Sequence, residues 1–463
     1  MHLEKTQDSS HPVIRTQSPQ DLVERATEYL DGGTLEYRSH EDVTLRARAM
    51  VQEILSSTTQ LHSPNCMGHQ VNPPIPIAGA FTGLGGVLNP GLAIFEMGQF
   101  IAALERALIA KLGRLVGWPE GNYDGIITNG GTLANLTAIL TARNKKFPHI
   151  FTKGIGASRP ALLVGADSHY SISRAAGVLG FGTAQVIKIP LDGKRRMNPK
   201  HLAEKFESAV QMGLEPFAIV AAAGSTPFGA FDPLEEIGKF AKLKELWLHV
   251  DGAHGGPFLF SQKHKHLLQG IESADSITWD AHKTMFVPSL CTFLLYKEKR
   301  DSYLSFQQDA PYIFGDGEQR AAFDAGLRTF ECTKGPIALP VWALWSLFSE
   351  KLFAELIEKV LGATATLYEM VEAAPDFKAL HIPECNIFCF RYLPTKLKEN
   401  SEENRDQLQR RLRESIVADG RFYITGTVID GEYALRVTVS NPATEREHFA
   451  SLLEKIRSLY EQR

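Results

Sequence analysis

The sequence predicts an α/β layer fold: a mostly parallel seven-stranded sheet flanked by helices, followed by a small C-terminal α+β domain. Three observations carry that expectation. The chain has 463 residues, more than one hydrophobic core normally serves. Between residues 125 and 297, short apolar, β-branched runs alternate with helical stretches, the pattern of strands buried on both faces and joined by crossover helices. Beyond about residue 345 the pattern shifts to one long helix and then to strands of a smaller layer. The expected domains are therefore an N-terminal helical and extended segment over 1–90, a large α/β domain over 91–345 and a small α+β domain over 346–463.

Taken in order, residues 1–18 read as a polar tail. Pro19-Gln20-Asp21 opens a helical run with Leu22, Val23, Tyr29 and Leu30 on its apolar positions, and a second helix over 41–55 follows the Gly32-Gly33 break. Residues 63–90, rich in Pro, Gly and Asn, are expected to form a loop despite the apolar Val71, Ile75, Ile77 and Phe81. Helical periodicity returns over 95–116, with Phe100, Ala103, Leu104, Ala107, Leu108, Leu112 and Leu115 on one face. The seven expected strands of the large sheet are 125–128, 161–165, 184–189, 217–222, 246–250, 276–278 and 291–295. A helix is expected over 342–374, strands over 387–392, 423–428 and 434–439, and a last helix over 444–460.

Composition excludes several function classes. The chain is 44% hydrophobic and 22% charged with a formal net charge of −4, a balance that gives no general affinity for nucleic acid or an anionic membrane. No stretch approaches about 18 uninterrupted apolar residues, so no membrane span is expected. The five cysteines (Cys66, Cys291, Cys332, Cys385 and Cys389) form no CxxC pair, and no histidine pair has zinc-ligand spacing. No metal site is expected. Sparse cysteines and a polar N-terminus without an apolar core point to a reducing, cytoplasmic setting.

Five motifs each place one useful group just after an apolar run, where ligands sit in open α/β sheets. In Leu248-His249-Val250-Asp251-Gly252-Ala253-His254, a strand ends in Asp251 and small residues follow. A carboxylate there suits a protonated pyridine nitrogen, and small neighbours let a flat ring approach the backbone. In Thr278-Trp279-Asp280-Ala281-His282-Lys283, Lys283 is an amine able to form a Schiff base. Thirty-two residues separate it from Asp251, room for one helix and one strand, so both fall on the same rim. Ile126-Ile127-Thr128-Asn129-Gly130-Gly131-Thr132 is a strand, a glycine turn and a helix start, whose free N–H groups make an anion cradle. His169, in Asp167-Ser168-His169-Tyr170-Ser171, can stack on a ring or donate to a substrate carboxylate. Thr226, in Gly224-Ser225-Thr226-Pro227-Phe228, can hydrogen-bond a phenolic oxygen. Acid, amine, anion cradle and imidazole together match the functional groups of pyridoxal 5′-phosphate (PLP).

In order and spacing, GGTLAN, DSHYS, GSTPFGAFDP, LHVDGAHGG and DAHK resemble the group II PLP-dependent amino-acid decarboxylases, over about residues 68–345. GAFDP and the stretch 263–276 look closest to the glutamate and cysteine-sulfinate branch. The resemblance implies the PLP-dependent type I fold and α-decarboxylation of a small L-amino acid. It implies that Lys283 carries the cofactor as a Schiff base, that Asp251 pairs with the pyridine nitrogen, and that Ala253 and His169 cover the two ring faces. It implies Thr226 near the phenolic oxygen, and Gly130, Gly131, Thr132 and His282 around the phosphate. It further implies a homodimer with the active site at the subunit interface. His69 and Gln70, with Asn72 nearby, are candidates to reach the substrate side chain.

Three departures bear on the reaction. Where the branch carries an arginine for the substrate carboxylate, Glu331-Cys332-Thr333-Lys334 offers Lys334, a point charge without a bidentate fork. The family's loop tyrosine, which protonates the substrate carbon, has no counterpart between Phe314 and Phe330, where Phe323 is the one internal aromatic. Asp280 and Gly252 replace commoner Asn and Ala. The missing tyrosine leaves open a different outcome on the same cofactor: aldehyde-forming oxidative deamination, transamination or lyase chemistry. A non-catalytic scaffold is the remaining alternative, opposed by the intact Lys283 and Asp251.

Overall fold

All seven apolar runs of the large domain form strands of one sheet in the computed structural model, which describes residues 11–31, 40–306, 323–394 and 402–462. They are β1 (Asp124–Thr128), β2 (Pro160–Gly165), β3 (Val186–Ile189), β4 (Glu215–Ala222), β5 (Trp247–Asp251), β6 (Ser276–Asp280) and β7 (Thr292–Tyr296). Their order is β1-β7-β6-β5-β4-β2-β3. Only β7 runs against its neighbours, β1 and β6, and the other pairs are parallel. Every residue of β1, β2, β6 and β7 is buried, which explains continuous apolar runs without polar alternation. Successive side chains enter opposite layers: Leu162 and Val164 join one core, Leu163 the other.

This topology fixes the position of the site. Because β1 and β6 are both antiparallel to β7, they point the same way as β2, β3, β4 and β5. The carboxyl ends of six strands therefore share one edge of the sheet, where side chains from distant parts of the sequence converge.

The chain divides into two compact units, one of residues 70–365 and 381–388, the other of residues 1–69, 366–380 and 389–463. The first holds the large sheet. In it, the loop expected over 63–90 is corrected: Pro76–Leu88 is a helix, α3, after α1 (Pro19–Asp31) and α2 (His40–Ser57). Its glycines misled the sequence reading. A Cβ on Gly85 would stand 2.7 Å from the Pro336 ring, so one glycine there marks a close helix contact, and tertiary packing overrides weak propensity. Two other expected helices are interrupted. Gln99, at φ 37°, separates a short turn from α4 (Phe100–Val116). Ser349, at φ 59°, ends the helix Leu339–Phe348 before Lys351–Glu372 begins.

A second, four-stranded sheet, most of it in the second unit, has the order β10-β11-β9-β8 and is made of β8 (Phe377–Ala379), β9 (Ile387–Tyr392), β10 (Thr425–Ile429) and β11 (Glu432–Thr438). The helices Glu402–Asp419 and Arg446–Glu461 complete that unit, the latter burying Phe449, Leu452, Leu453 and Ile456. β8, three residues long, and the helix Glu402–Asp419 were not foreseen from the sequence.

Candidate active site

A cavity of about 370 Å³ opens at the shared carboxyl edge of the sheet, a volume suited to a small cofactor with its substrate. Each strand end delivers a different group to it. After β1, Asn129 and Gly130 turn the chain into α5 (Gly131–Lys146). Gly130 sits at φ 97°, a conformation natural to glycine alone. Leu133 and Ala134 donate back to the Gly130 carbonyl, so the N–H groups of Gly131 and Thr132 precede the first helical bonds and form an anion cradle.

After β2, His169 caps the helix Tyr170–Val178, α6. Its Nδ1 accepts the Ser171 N–H at 3.3 Å and lies 2.8 Å from Ser171 Oγ. Burial pushes its pKa down, aided by Lys283 and Arg174 and opposed by Asp251 and Asp280, so the ring is neutral near pH 7. After β4, Gly224, Ser225 and Thr226 line the cavity. At the end of β5, Asp251 Oδ2 accepts from Asn135 Nδ2 at 2.9 Å and Oδ1 accepts the Ala253 N–H at 3.2 Å. After β6, Lys283 Nζ lies 3.0 Å from Asp280 Oδ2, and His282 Nε2 lies 3.6 Å from the same oxygen. Burial alone would raise the Asp280 pKa, but Lys283 and His282 outweigh it and hold the carboxyl below its ordinary value.

The structure thus brings together Gly130, Gly131, Thr132, His169, Thr226, Asp251, Ala253, His282, Lys283 and Gln70 around one cavity. It adds Asn135 and Asp280, which the motif reading quoted without assigning a role. His69 belongs to the other unit, where its ring packs 5.7 Å from that of Tyr423. Asn72 is 2% exposed, and among the described residues neither polar atom of its amide has a partner. Residues 307–322, which hold the first half of the stretch without a loop tyrosine and Tyr312 just before it, lie outside the described residues.

The expectation for Lys334 is corrected. Its side chain is 1% exposed, and Nζ donates to both oxygens of Glu105, at 2.7 and 2.8 Å. It does not line the cavity. An ammonium paired with both oxygens of a buried carboxylate is a structural cross-link between α4 and the 333–335 segment. Arg328, the other basic residue considered for that segment, is 3% exposed and pairs with Asp124 Oδ2 at 3.1 Å. Lys334→Ala is accordingly expected to cost about 3–5 kcal/mol of stability by stranding Glu105. It should leave kcat/KM within about twofold of the parent. Urea denaturation and steady-state kinetics on one preparation check both halves.

Behind the cavity wall lies the buried histidine His249. His249 is 1% exposed and bonded to Ser276 Oγ and Asn135 Oδ1, at 2.8 and 3.0 Å. Burial drives its pKa down to about 4, against 6.5 for the free side chain. A depressed histidine stabilises the fold fully above about pH 6.5, and this is lost as pH falls toward 4, on the order of 3 kcal/mol over the window. Asp232, pushed up to about 6 by burial, acts in the opposite sense: its contribution declines as pH rises from about 4 to 6. The two oppose each other in the parent protein, so the comparison must be between variants. His249→Gln should lose less stability than the parent between about pH 7 and pH 5, read from urea midpoints.

Comparison with known proteins agrees with this geometry. Residues 58–393 match the family described as the pyridoxal-dependent decarboxylase conserved domain. The chain is 33% identical over 381 residues to the mouse protein named acidic amino acid decarboxylase GADL1, covering 80% of this chain and 69% of that one. The crystal structure of mouse CSAD in apo form superposes with a TM-score of 0.89 at 27% identity, covering 98% of this chain and 95% of that chain. The structure of Oryza sativa TDC with PLP and tryptamine shares the fold at a TM-score of 0.89 and 21% identity, covering 100% of this chain and 95% of that one. With the family matched over most of its length and the strand ends carrying the groups the chemistry needs, the chain belongs to the pyridoxal-dependent decarboxylases and is a PLP-dependent carboxy-lyase.

Proposed function

We propose that the enzyme removes the α-carboxylate of a small L-amino acid as CO2 and releases the corresponding amine. The observation that carries this reading is the convergence of Lys283, Asp251, His169 and the Gly130–Thr132 turn on one cavity. These residues fit PLP. Asp251, whose carboxylate is oriented by two N–H donors, suits a pyridine N–H. Neutral His169 offers a flat face, and Ala253 on the Asp251 side is small enough to admit a ring. The cradle at the start of α5 suits a phosphate, with His282 nearby, and Lys283 supplies the attaching amine. Thr226 faces the same cavity and suits the phenolic oxygen.

When bound, PLP supplies an electron sink for the electron pair left at Cα after CO2 departs. The protein's share is orientation and electrostatics. Asp251 would retain a proton on the ring nitrogen, and Asp280 holds Lys283 in place. With Lys334 committed to Glu105, we assign the substrate carboxylate to the imidazole of His169. Gln70 reaches the same cavity from the start of the unit and is the candidate for the substrate side chain.

The name of the mouse relative, acidic amino acid decarboxylase, places acidic amino acids first in a substrate panel. The test is a panel of about twenty L-amino acids followed for CO2 and primary amine, since the residue types lining the cavity do not single out a side chain. Equal release of CO2 and amine from at least one of them is expected. Ammonia with an aldehyde would instead establish the oxidative outcome, which the tyrosine-free 314–330 stretch favours.

We further propose a homodimer with the active site at the subunit interface. α2 buries no residue within its own chain and exposes Val43, Leu45, Met50, Val51 and Ile54, more apolar surface than an isolated helix sustains in water. A cytoplasmic setting is supported by five cysteines that are all free thiols. Among the described residues, no helix is long and apolar enough to cross a membrane.

A further inference from the structure

We infer that Asn135 is the positioning residue for both cavity-facing groups: it holds the Asp251 carboxylate toward the cavity and, through Ser171, fixes His169 as the tautomer protonated on Nε2. The inference rests on the reading of Asp251 and His169 as groups that face the cofactor ring.

Asn135 is 1% exposed on the first turns of α5, and all four hydrogen-bonding capacities of its amide are used. Nδ2 donates to Asp251 Oδ2 at 2.9 Å and to Ser171 Oγ at 3.0 Å. Oδ1 accepts from Thr278 Oγ1 at 2.7 Å and faces His249 Nε2 at 3.0 Å. The amide cannot be turned over, because Oδ1 would then face the Asp251 carboxylate oxygen, an acceptor against an acceptor.

Directions propagate from there. Ser171 Oγ accepts a hydrogen bond from Asn135 Nδ2 and lies 2.8 Å from His169 Nδ1. The Ser171 backbone N–H, which can only donate, meets the same nitrogen at 3.3 Å. Nδ1 is therefore an acceptor, and the ring proton sits on Nε2. On the other side, Asn135 Oδ1 can only accept, so His249 carries its proton on Nε2 and donates to it at 3.0 Å. The His249 Nδ1 then accepts from the Ser276 hydroxyl at 2.8 Å, and Ser276 Oγ in turn accepts from Trp247 Nε1–H at 2.8 Å. One unidirectional chain thus runs from Trp247 through Ser276, His249, Asn135 and Ser171 to His169, with a branch to Asp251.

The charged groups acting on His169 are Asp251, Lys283, Asp280 and Arg174. Asn135 touches the first of these directly, so its loss disturbs both the carboxylate and the imidazole. Losing Ser171 disturbs the imidazole alone.

The test uses the holoenzyme and two readouts: the pH titration of the bound cofactor's visible absorbance, and kcat and KM measured separately. Asn135→Ala should move the absorbance titration in the same direction as Asp251→Asn and lower kcat by about ten- to a hundredfold. Asn135→Asp keeps the side-chain volume but replaces both donors with acceptors, so it should move the titration as well, even if the alanine variant folds poorly. Ser171→Ala should leave the titration in place and raise KM by about threefold or more, because only the carboxylate-binding imidazole is released. Thr141→Val removes a buried hydrogen bond to Tyr296 from the same helix and should change thermal stability without moving either readout. If Asp251→Asn moves the titration while both Asn135 variants match the parent, the inference is overturned on its own. If Asp251→Asn leaves the titration unmoved, the ring-facing reading of Asp251 falls and takes the inference with it.

Discussion

Lys283→Ala is expected to abolish covalent attachment of PLP and to lower turnover by at least about a thousandfold, because no other amine can replace an attacking group held in place. Lys283 is the lysine that lines the cavity, and its Nζ is fixed 3.0 Å from Asp280. The alanine variant also strands Asp280, which is 2% exposed, so some loss of stability is expected. Lys283→Arg separates the two effects. It keeps a cation beside Asp280, but a guanidinium does not deprotonate and cannot attack an aldehyde. Both variants should lack the visible absorbance of the attached cofactor, while the arginine variant retains more of the parent's thermal stability. Borohydride reduction of the parent followed by peptide mapping locates the attachment. A pyridoxyl label on any other lysine would refute the assignment.

Asp251→Asn should lower turnover by about a hundred- to a thousandfold, the scale seen when a preorganised electrostatic partner is removed from a reacting centre. The change is nearly isosteric, and the neighbouring donors, Asn135 Nδ2 and the Ala253 N–H, remain. What is lost is the negative charge that keeps a proton on the ring nitrogen. Cofactor content should therefore survive better than kcat, since the anion cradle and Lys283 are untouched. Single-turnover kinetics with cofactor content measured on the same sample checks this. A variant that turns over at near-parental rates would remove Asp251 from the chemistry.

Much of the fold was legible because both faces of the sheet are buried. Strands such as Leu162-Leu163-Val164 carry an unbroken apolar signal, and their ends fall where small or polar residues begin. The site was legible for the same reason: each cavity group follows an apolar run within a few residues, so Asp251, His169, Thr226 and Lys283 could be placed on one rim without coordinates. What the sequence concealed depended on partners distant along the chain. Pro76–Leu88 reads as a loop until Pro336 is seen against Gly85. Lys334 reads as a ligand-binding cation until Glu105, 229 residues away, is found holding it. Asn135 reads as one more polar residue on a helix, since nothing local shows that His249, Thr278, Ser171 and Asp251 meet at its amide. Local pattern reports burial and strand ends; it does not report which charge neutralises which.

The Lys334–Glu105 pair also bears on how readily this position could be recruited for binding. A diffusing carboxylate at millimolar concentration must compete with one that the fold delivers at a far higher effective concentration, already desolvated and aligned with both oxygens on the ammonium. Raising the ligand concentration does little against such a tethered competitor. Exchanging Lys334 for a bulkier cation would also leave the competitor in place. Only removing Glu105 would free the cation, so any shift of this position toward ligand capture has to begin on α4, at the partner, and not at the lysine itself.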